Sequence, residues 1–183
     1  AGILKDDWYT VSFGDGFYTV PIPGQPHLVY SNIQGGPIYL TDTRSGNARL
    51  ITPYPRKSGS AGDAIVDHKY RFNWNAPIHI SPHDPKTVYY GGNVLFKSTN
   101  YGHSWEEISP DLTTDDPEKQ QSSGGPVYAD NTAAEFHCTI LTIAESPVEP
   151  GVIWVGTDDG NIQVTRDGGS TWKNVKDNAE GLP

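Results

Sequence analysis

Two eight-residue stretches share one pattern, and this repeat constrains the fold more than any other feature. Residues 98–105 are STNYGHSW and residues 165–172 are TRDGGSTW, so both fit [ST]-x-[DN]-x-G-x-[ST]-W. An Asn or Asp side chain bonds to its own backbone and the glycine after it accepts positive φ, as in a tight turn. We predict a hairpin at each copy, away from any central channel, with a tryptophan packed beside it. The residues expected to build the turns are Ser98, Asn100, Gly102, Trp105, Thr165, Asp167, Gly169 and Trp172.

The repeat extends beyond these turns. β-type segments precede both copies, and a weaker third copy lies earlier in the chain. The middle strands align at Val29, Val88 and Ile153, which are 59 and then 65 residues apart. Each copy offers four short strands separated by Gly, Pro and Asp, and such units at a long period indicate propeller blades. The sequence predicts an all-β fold, a β-propeller segment of about three four-stranded blades.

These units give a predicted domain organisation. Closed propellers have typically 4–8 blades, so about three are too few for a ring. The chain begins at Ala1 and contains no Met, which favours a piece of a longer protein. We therefore expect part of a larger ring, completed by the same parent chain, by other chains or by self-association. The predicted ranges are 1–16 for the end of a preceding blade (with 8–12 as its outer strand), 17–55, 76–110 and 136–177 for blades, 56–75 and 111–135 for long loops, and 178–183 for a link to a next blade.

Composition and charge narrow the class of protein. No apolar run is long enough to span a membrane, and no window shows helical periodicity over several turns. The net charge is −9, which argues against nucleic acid as a partner. Cys138 is the only cysteine, and we expect it to be a small buried residue of an inner strand rather than a reactive thiol.

The two turn motifs resemble the Asp-box, or bacterial neuraminidase repeat (BNR), of β-propellers, although Asn100 replaces Asp in the first copy. Over most of its length the chain looks like the sortilin-like and glycosyl-hydrolase-like bacterial members of that group. The resemblance implies an extracytoplasmic protein, periplasmic or secreted. The arginines do not show the layout of true sialidases, so that chemistry is not expected.

Any ligand site is predicted where loops enter the inner strands, at residues 12–17, 52–75 and 109–135. Long loops in compact domains commonly carry function. A glycosidase needs two carboxylates across a channel, and four acids could supply them. They are Asp15, Asp67, Asp130 and Glu135. The simpler interpretation is that these acids are solvated and cap turns.

The same loops and adjoining strands hold candidate binding residues. Exposed aromatic side chains would form stacking platforms for sugars, and edge packing between blades is the alternative role. The candidates are His68, Arg71, Trp74, His79, Tyr128 and His137, with Tyr54 and Tyr70 as further aromatics. His79 and His83 are four apart, but Pro82 excludes a helix, so we predict no metal site. The acidic pairs at 115–116 and 158–159 are typical of turns rather than calcium loops. No cofactor is expected.

Two functions of different class remain open. One is a non-catalytic propeller module that binds a glycan or a peptide within a larger protein. The other is a glycoside hydrolase of the Asp-box propeller type that acts on polysaccharide. The first is favoured because folding alone explains every strong motif, and fold does not imply function.

Overall fold

The computed structural model describes residues 2–5, 8–55, 65–122, 124, 127 and 136–178. Within that part, the strands form three four-stranded antiparallel sheets, and the chain is all-β as predicted. Short 3₁₀ turns lie at Ile65–Asp67, Pro117–Gln120 and Lys176–Asn178. The strands are β1 (Thr19–Ile22), β2 (Gln25–Asn32), β3 (Ile38–Asp42), β4 (Asn47–Leu50), β5 (Ile78–Ile80), β6 (Val88–Gly91), β7 (Leu95–Ser98), β8 (Glu106–Glu107), β9 (Ile140–Glu145), β10 (Ile153–Thr157), β11 (Ile162–Thr165) and β12 (Lys173–Asn174).

Each sheet is a meander of consecutive strands, as in a propeller blade. We call β1–β4 the first blade, β5–β8 the second and β9–β12 the third. Val29, Val88 and Ile153 all lie in second strands, as the repeat predicts. The second and third blades end in strands of two residues, so their outer edges offer little backbone for pairing.

The second blade lies between the other two, and its strand β6 shows how. Val88 and Tyr90 pack into a core shared with the first blade, whereas Tyr89 packs into a core shared with the third. Successive side chains of a strand point to opposite faces, so a strand that is buried on both faces is apolar throughout. This face-to-face stacking of sheets is the packing of neighbouring propeller blades.

Close contact between the blades requires a glycine at the end of β6. A Cβ added at Gly91 would lie 2.8 Å from the Ile140 Cγ2 atom and 2.8 Å from the Pro77 Cγ atom. The equivalent position of the third blade is Gly156, whose added Cβ would meet Thr142 of its own blade. Because Gly91 has no side chain, the second blade can approach Ile140 of the third blade closely.

The first turn motif joins β7 to β8 and is held by its own side chains. Ser98 Oγ accepts a hydrogen bond from the Gly102 amide at 2.8 Å. Asn100 Oδ1 accepts one from the Ser104 amide at 2.9 Å. Gly102 has a φ of 80°, so the predicted positive φ is confirmed.

The second turn motif joins β11 to β12 and repeats the same bonds. Thr165 Oγ1 accepts from the Gly169 amide at 3.0 Å, and Asp167 Oδ1 accepts from the Thr171 amide at 2.9 Å. Asp167 also accepts from the hydroxyls of Thr165 at 2.7 Å and Thr171 at 2.6 Å. The carboxylate replaces the amide of the first motif without changing the turn.

The tryptophans of both motifs connect their blade to the preceding one. Trp105 Nε1 donates to the Ile51 carbonyl at 2.6 Å, and Trp172 Nε1 donates to the Ile108 carbonyl at 3.0 Å. Ile51 and Ile108 each follow the outer strand of the blade before. The motif therefore stabilises the contact between blades as well as its own hairpin.

Two local expectations are wrong. Residues 8–12 form no strand; instead the Val11 carbonyl accepts a hydrogen bond from Thr41 Oγ1 at 2.7 Å, on the first blade. Cys138 is buried as expected, but it lies two residues before β9 with a φ of 58° rather than within a strand. The end of a preceding blade at 1–16 stays a prediction. Among the described residues, no helix is long and apolar enough to cross a bilayer.

Candidate functional site

The segments that pass from one blade to the next meet the turns between second and third strands at one end of the molecule. We call this end the loop face, formed in the described part by residues 12–18, 65–77, 108–122, 136–139 and 158–161. In a meander these segments emerge on the same side because alternate strands run in opposite directions. Side-chain hydrogen bonds across the sequence then connect the segments to each other.

Arg71 is the centre of one set of these bonds. Its Nη2 atom lies 2.5 Å from Asp111 Oδ2 and 3.1 Å from Asp115 Oδ1, and Nε donates to the Cys138 carbonyl at 3.1 Å. Arg71 is 5% exposed. A buried guanidinium with these partners holds the two long loops together, and removing one partner of such a pair is costly. Arg71 was predicted to bind ligand, yet its charged group is engaged within the protein.

Asp158 holds the entry to β9 against the second blade. Its Oδ1 accepts from the Thr139 amide at 2.9 Å, and its Oδ2 accepts from the Thr139 hydroxyl at 2.6 Å. Asn73 Nδ2 donates to the same Oδ2 at 3.2 Å, and His137 Nδ1 lies 3.7 Å from Oδ1. This arrangement brings Asn73 and His137 to one point of the loop face, although they are 64 residues apart in the sequence.

Asp159 accepts hydrogen bonds from the segment that follows the second blade and from the end of β10. Its Oδ2 accepts from the amide and the hydroxyl of Thr114, each at 2.7 Å, and its Oδ1 accepts from the Thr157 hydroxyl. Burial acts to raise the pKa of Asp159, but the hydrogen bonds from Thr157 and Thr114 outweigh it and hold the pKa below its ordinary value. The carboxylate therefore stays ionised at neutral pH and does not suit a general acid.

Trp74 lies four residues before β5, the inner strand of the second blade, and follows Asn73 in the chain. The indole is half-buried and makes an edge-on contact with Phe17, with ring centroids 5.8 Å apart. Asn75 beside it is exposed, and its amide donates to Asn73 Oδ1 at 3.0 Å. An aromatic ring flanked by amide side chains offers both stacking and hydrogen bonding to a polar ligand.

The other aromatics expected on the loop face differ in exposure. Tyr70 is buried, and its hydroxyl donates to Glu107 Oε2 at 2.6 Å while its ring packs on Phe96. Of the two roles expected for Tyr70, the structure shows packing between blades and not an exposed platform, because its ring completes the core between the first two blades. Tyr54 is partly exposed and packs edge-on against Tyr70.

The remaining predicted residues do not converge on one described cluster. Asp15 and Asp67 are exposed, and His68 packs against Phe136 with ring centroids 5.6 Å apart. Three further candidates, Tyr128, Asp130 and Glu135, lie outside the described residues. Their roles stay predictions.

His79 and His83 both connect the second blade to the third. His79 Nε2 accepts from the Glu145 amide at 3.1 Å, and His83 Nε2 lies 2.7 Å from the Ser146 carbonyl. Burial lowers the pKa of His79, which favours the neutral form that can accept this bond. Within the described part, no group of three or more His, Cys, Asp or Glu side chains could hold a metal ion.

Sequence reasoning missed several residues that organise the loop face. Asn73, Asp111, Thr114 and Thr139 bond to partners 18 to 85 residues away. An Asx or Thr side chain in a loop signals a local turn, and nothing in the sequence shows a distant partner. The acidic pair at 158–159 was interpreted as a turn, and it is one, but both carboxylates also connect segments.

No protein-family model matches the chain. Among curated proteins it is similar to the xyloglucanase Xgh74A of Acetivibrio thermocellus, with 31% identity over 117 residues. That alignment covers 57% of this chain but only 13% of the relative, so the chain spans a small part of the length of the curated relatives it matches.

Three solved structures resemble the chain at low identity. The structure of YCF48 bound to D1 peptide has a TM-score of 0.48 at 17% identity, covering 87% of this chain and 39% of that one. The Niastella koreensis GH74 enzyme has a TM-score of 0.49 at 15% identity, covering 87% and 22%. The GH74 xyloglucanase from Xanthomonas campestris has 0.40 at 16%, covering 96% and 32%. The blade assignment rests on the meander topology and the stacked sheets of the chain itself.

Proposed function

We propose that the chain is a non-catalytic segment of a larger extracytoplasmic β-propeller and that its loop face binds a neutral glycan. The observation that carries the proposal is Trp74, a half-buried indole in edge-on contact with Phe17 and flanked in the chain by Asn73 and the exposed Asn75. Sugars present apolar C–H faces together with hydroxyl groups, which this combination of an aromatic face and polar groups matches. The likeness to a protein named xyloglucanase supports a plant-type β-glucan as the first ligand to test.

A closed ring would need a further blade packed against the exposed face of the third blade. Trp154 is 42% exposed, whereas Tyr89, at the same place in the second blade, is 1% exposed because the third blade covers it. Leu141 is also exposed, at 45%. We propose that another four-stranded blade packs there, from the parent chain, another chain or a second copy. The Asp-box and sortilin-like resemblance supports this ring and the extracytoplasmic location.

Binding is favoured over hydrolysis because the described acids of the loop face accept hydrogen bonds from within the protein. Asp111, Asp158 and Asp159 each accept several hydrogen bonds from neighbouring segments. A general acid needs a carboxyl that holds its proton near neutral pH, whereas the hydrogen bonds to Asp159 outweigh the effect of burial and hold its pKa below the ordinary value. Hydrolysis stays the second candidate because the relative is named for it, with Asp15, Asp67, Asp130 and Glu135 as the acids to test.

The binding proposal is tested by calorimetry with a xyloglucan oligosaccharide. We expect Trp74→Ala to weaken affinity about tenfold or more, since truncated aromatic anchors commonly cost above 1 kcal/mol. Trp8→Ala is the matched control because Trp8 is another tryptophan, 74% exposed, and lies outside the residues that form the loop face. Equal loss in both variants, or wild-type affinity in Trp74→Ala, would contradict the assignment.

The hydrolysis alternative is tested on the same oligosaccharide by release of reducing ends. If the chain only binds, Asp67→Asn and Glu135→Gln leave affinity within about tenfold because an amide still forms hydrogen bonds. If it is catalytic, one substitution lowers turnover by about 10²–10⁴-fold. Turnover that either substitution abolishes would replace the binding proposal with the enzymatic one.

A further inference from the structure

Two equivalent clefts lie at the rim of the molecule, where the outer strand of one blade meets the turn motif of the next. The first cleft has a volume of 330 Å³ and lies between residues 49–53 and the first turn motif, at 102–105. The second has a volume of 400 Å³ and lies between residues 106–110 and the second motif, at 168–170, with Lys97 beside them. Both volumes are in the range of small-molecule sites.

The two clefts carry opposite charge. Arg49 and His103 line the first, and its lining residues include no Asp or Glu. The second is lined by Glu106 and Glu107 together with Lys97. Because the chain as a whole has a net charge of −9, the first cleft is a local exception. Within the described part, neither Arg49 nor His103 forms an ion pair with a carboxylate.

Arg49 and His103 contact each other, and among the described residues no oxygen atom accepts a hydrogen bond from either side chain. Arg49 Nη1 lies 3.2 Å from His103 Nδ1, and Nη2 lies 3.0 Å from Nε2. A guanidinium has only donors, and a neutral imidazole has one donor and one acceptor. One of the two contacts therefore brings two N–H groups together. An anion beside the pair would accept from both side chains.

We propose that the first cleft binds the carboxylate of an acidic sugar, a uronate residue. Arginine binds a carboxylate through two parallel hydrogen bonds, and the imidazole N–H adds a third donor. The accessible surface of the cleft is mostly polar, which matches a hydroxyl-rich sugar better than an apolar acid. The site shares no residue with the Trp74 site, so it adds a second ligand class to the one proposed for the loop face.

The test is a calorimetric titration of the chain with a trigalacturonate, compared with neutral galactotriose. We expect the uronate to bind and galactotriose to bind at least tenfold more weakly at this site. Arg49→Gln and His103→Ala should each weaken uronate binding about tenfold or more, as expected for lost hydrogen bonds to a charged group. Lys97→Gln is the matched control because it removes a cation from the second cleft.

Several outcomes would overturn this inference. They are uronate affinity unchanged in both Arg49→Gln and His103→Ala, equal weakening in Lys97→Gln, or inorganic sulfate binding as tightly as the uronate. Because Arg49 and His103 are exposed, their variants are expected to fold, and near-ultraviolet circular dichroism checks this. Retained uronate binding in Trp74→Ala would separate this site from the loop-face site.

Discussion

Trp172 tests whether the turn motif connects neighbouring blades or serves only its own hairpin. The indole is half-buried against the core between the second and third blades, and Nε1 donates both to the Ile108 carbonyl of the second blade, at 3.0 Å, and to the Gly169 carbonyl of its own motif, at 3.1 Å. Trp172→Phe keeps most of the ring but removes the donor. We expect it to lower the free energy of unfolding by about 1 kcal/mol, the usual net value of one hydrogen bond.

Trp172→Ala removes the ring as well. Truncating a fully buried tryptophan costs about 3–5 kcal/mol, and half-burial reduces the packing part to about 2 kcal/mol. With the lost hydrogen bond, we expect about 3 kcal/mol in total. The measurement is urea unfolding followed by circular dichroism, because tryptophan fluorescence would change with the substitution itself.

Trp8→Ala is the control for this series because Trp8 is 74% exposed. Surface substitutions usually change stability by less than about 0.5 kcal/mol. If Trp172→Ala costs no more than Trp8→Ala, or if Trp172→Phe equals wild type, the contact with Ile108 does not stabilise the stacked blades. That result would refute the inference that the motif joins blades.

Three further substitutions test the second turn motif and two contacts between the second and third blades. Hydrogen bonds from Thr171 and Thr165 hold the pKa of Asp167 at about 2, so its contribution to stability is present above about pH 4 and is lost as pH falls towards 2. Asp167→Asn should flatten the melting temperature over that pH range and lower it at pH 7, because the neutral amide lacks the stability that the ionised carboxylate supplies. His79 has a pKa lowered by burial, so stability falls as pH drops below about 6.5, and His79→Gln should reduce that fall. Gly91→Ala should cost about 1–3 kcal/mol in urea unfolding, because its Cβ would lie 2.8 Å from Ile140 Cγ2.

The fold was predictable because its signals are local. Turn chemistry at Asn100 and Asp167, and the spacing of Val29, Val88 and Ile153, depend on a few neighbouring residues each. These signals predicted three four-stranded units, which the structure contains. A β-type composition alone misled at residues 8–12, where no partner strand is present among the described residues and the stretch forms no strand.

The candidate site was less predictable because long-range hydrogen bonds assemble it. Arg71 was selected as a cation on a long loop, but Asp111, 40 residues later, binds it in the interior. Tyr70 was selected as an exposed aromatic, but its ring packs between blades and its hydroxyl bonds to Glu107. Residue type and loop position identify which groups are polar or aromatic, and only the packed structure decides whether their partners are protein or ligand.

The acidity of the chain has a structural explanation that bears on both candidate functions. Segments between blades lack a regular strand ladder, so their backbone and hydroxyl donors need other acceptors. A carboxylate accepts several hydrogen bonds at once, and Asp158 and Asp159 each take at least three from their neighbours. Burial acts to raise the pKa of Asp159, but the hydrogen bonds from Thr157 and Thr114 hold it below its ordinary value, so Asp159 does not keep a proton for a leaving group at neutral pH. The general acid of a catalytic pair would therefore have to be a carboxyl group other than Asp159, and Asp15 and Asp67, both exposed, are candidates for substitution among the described residues.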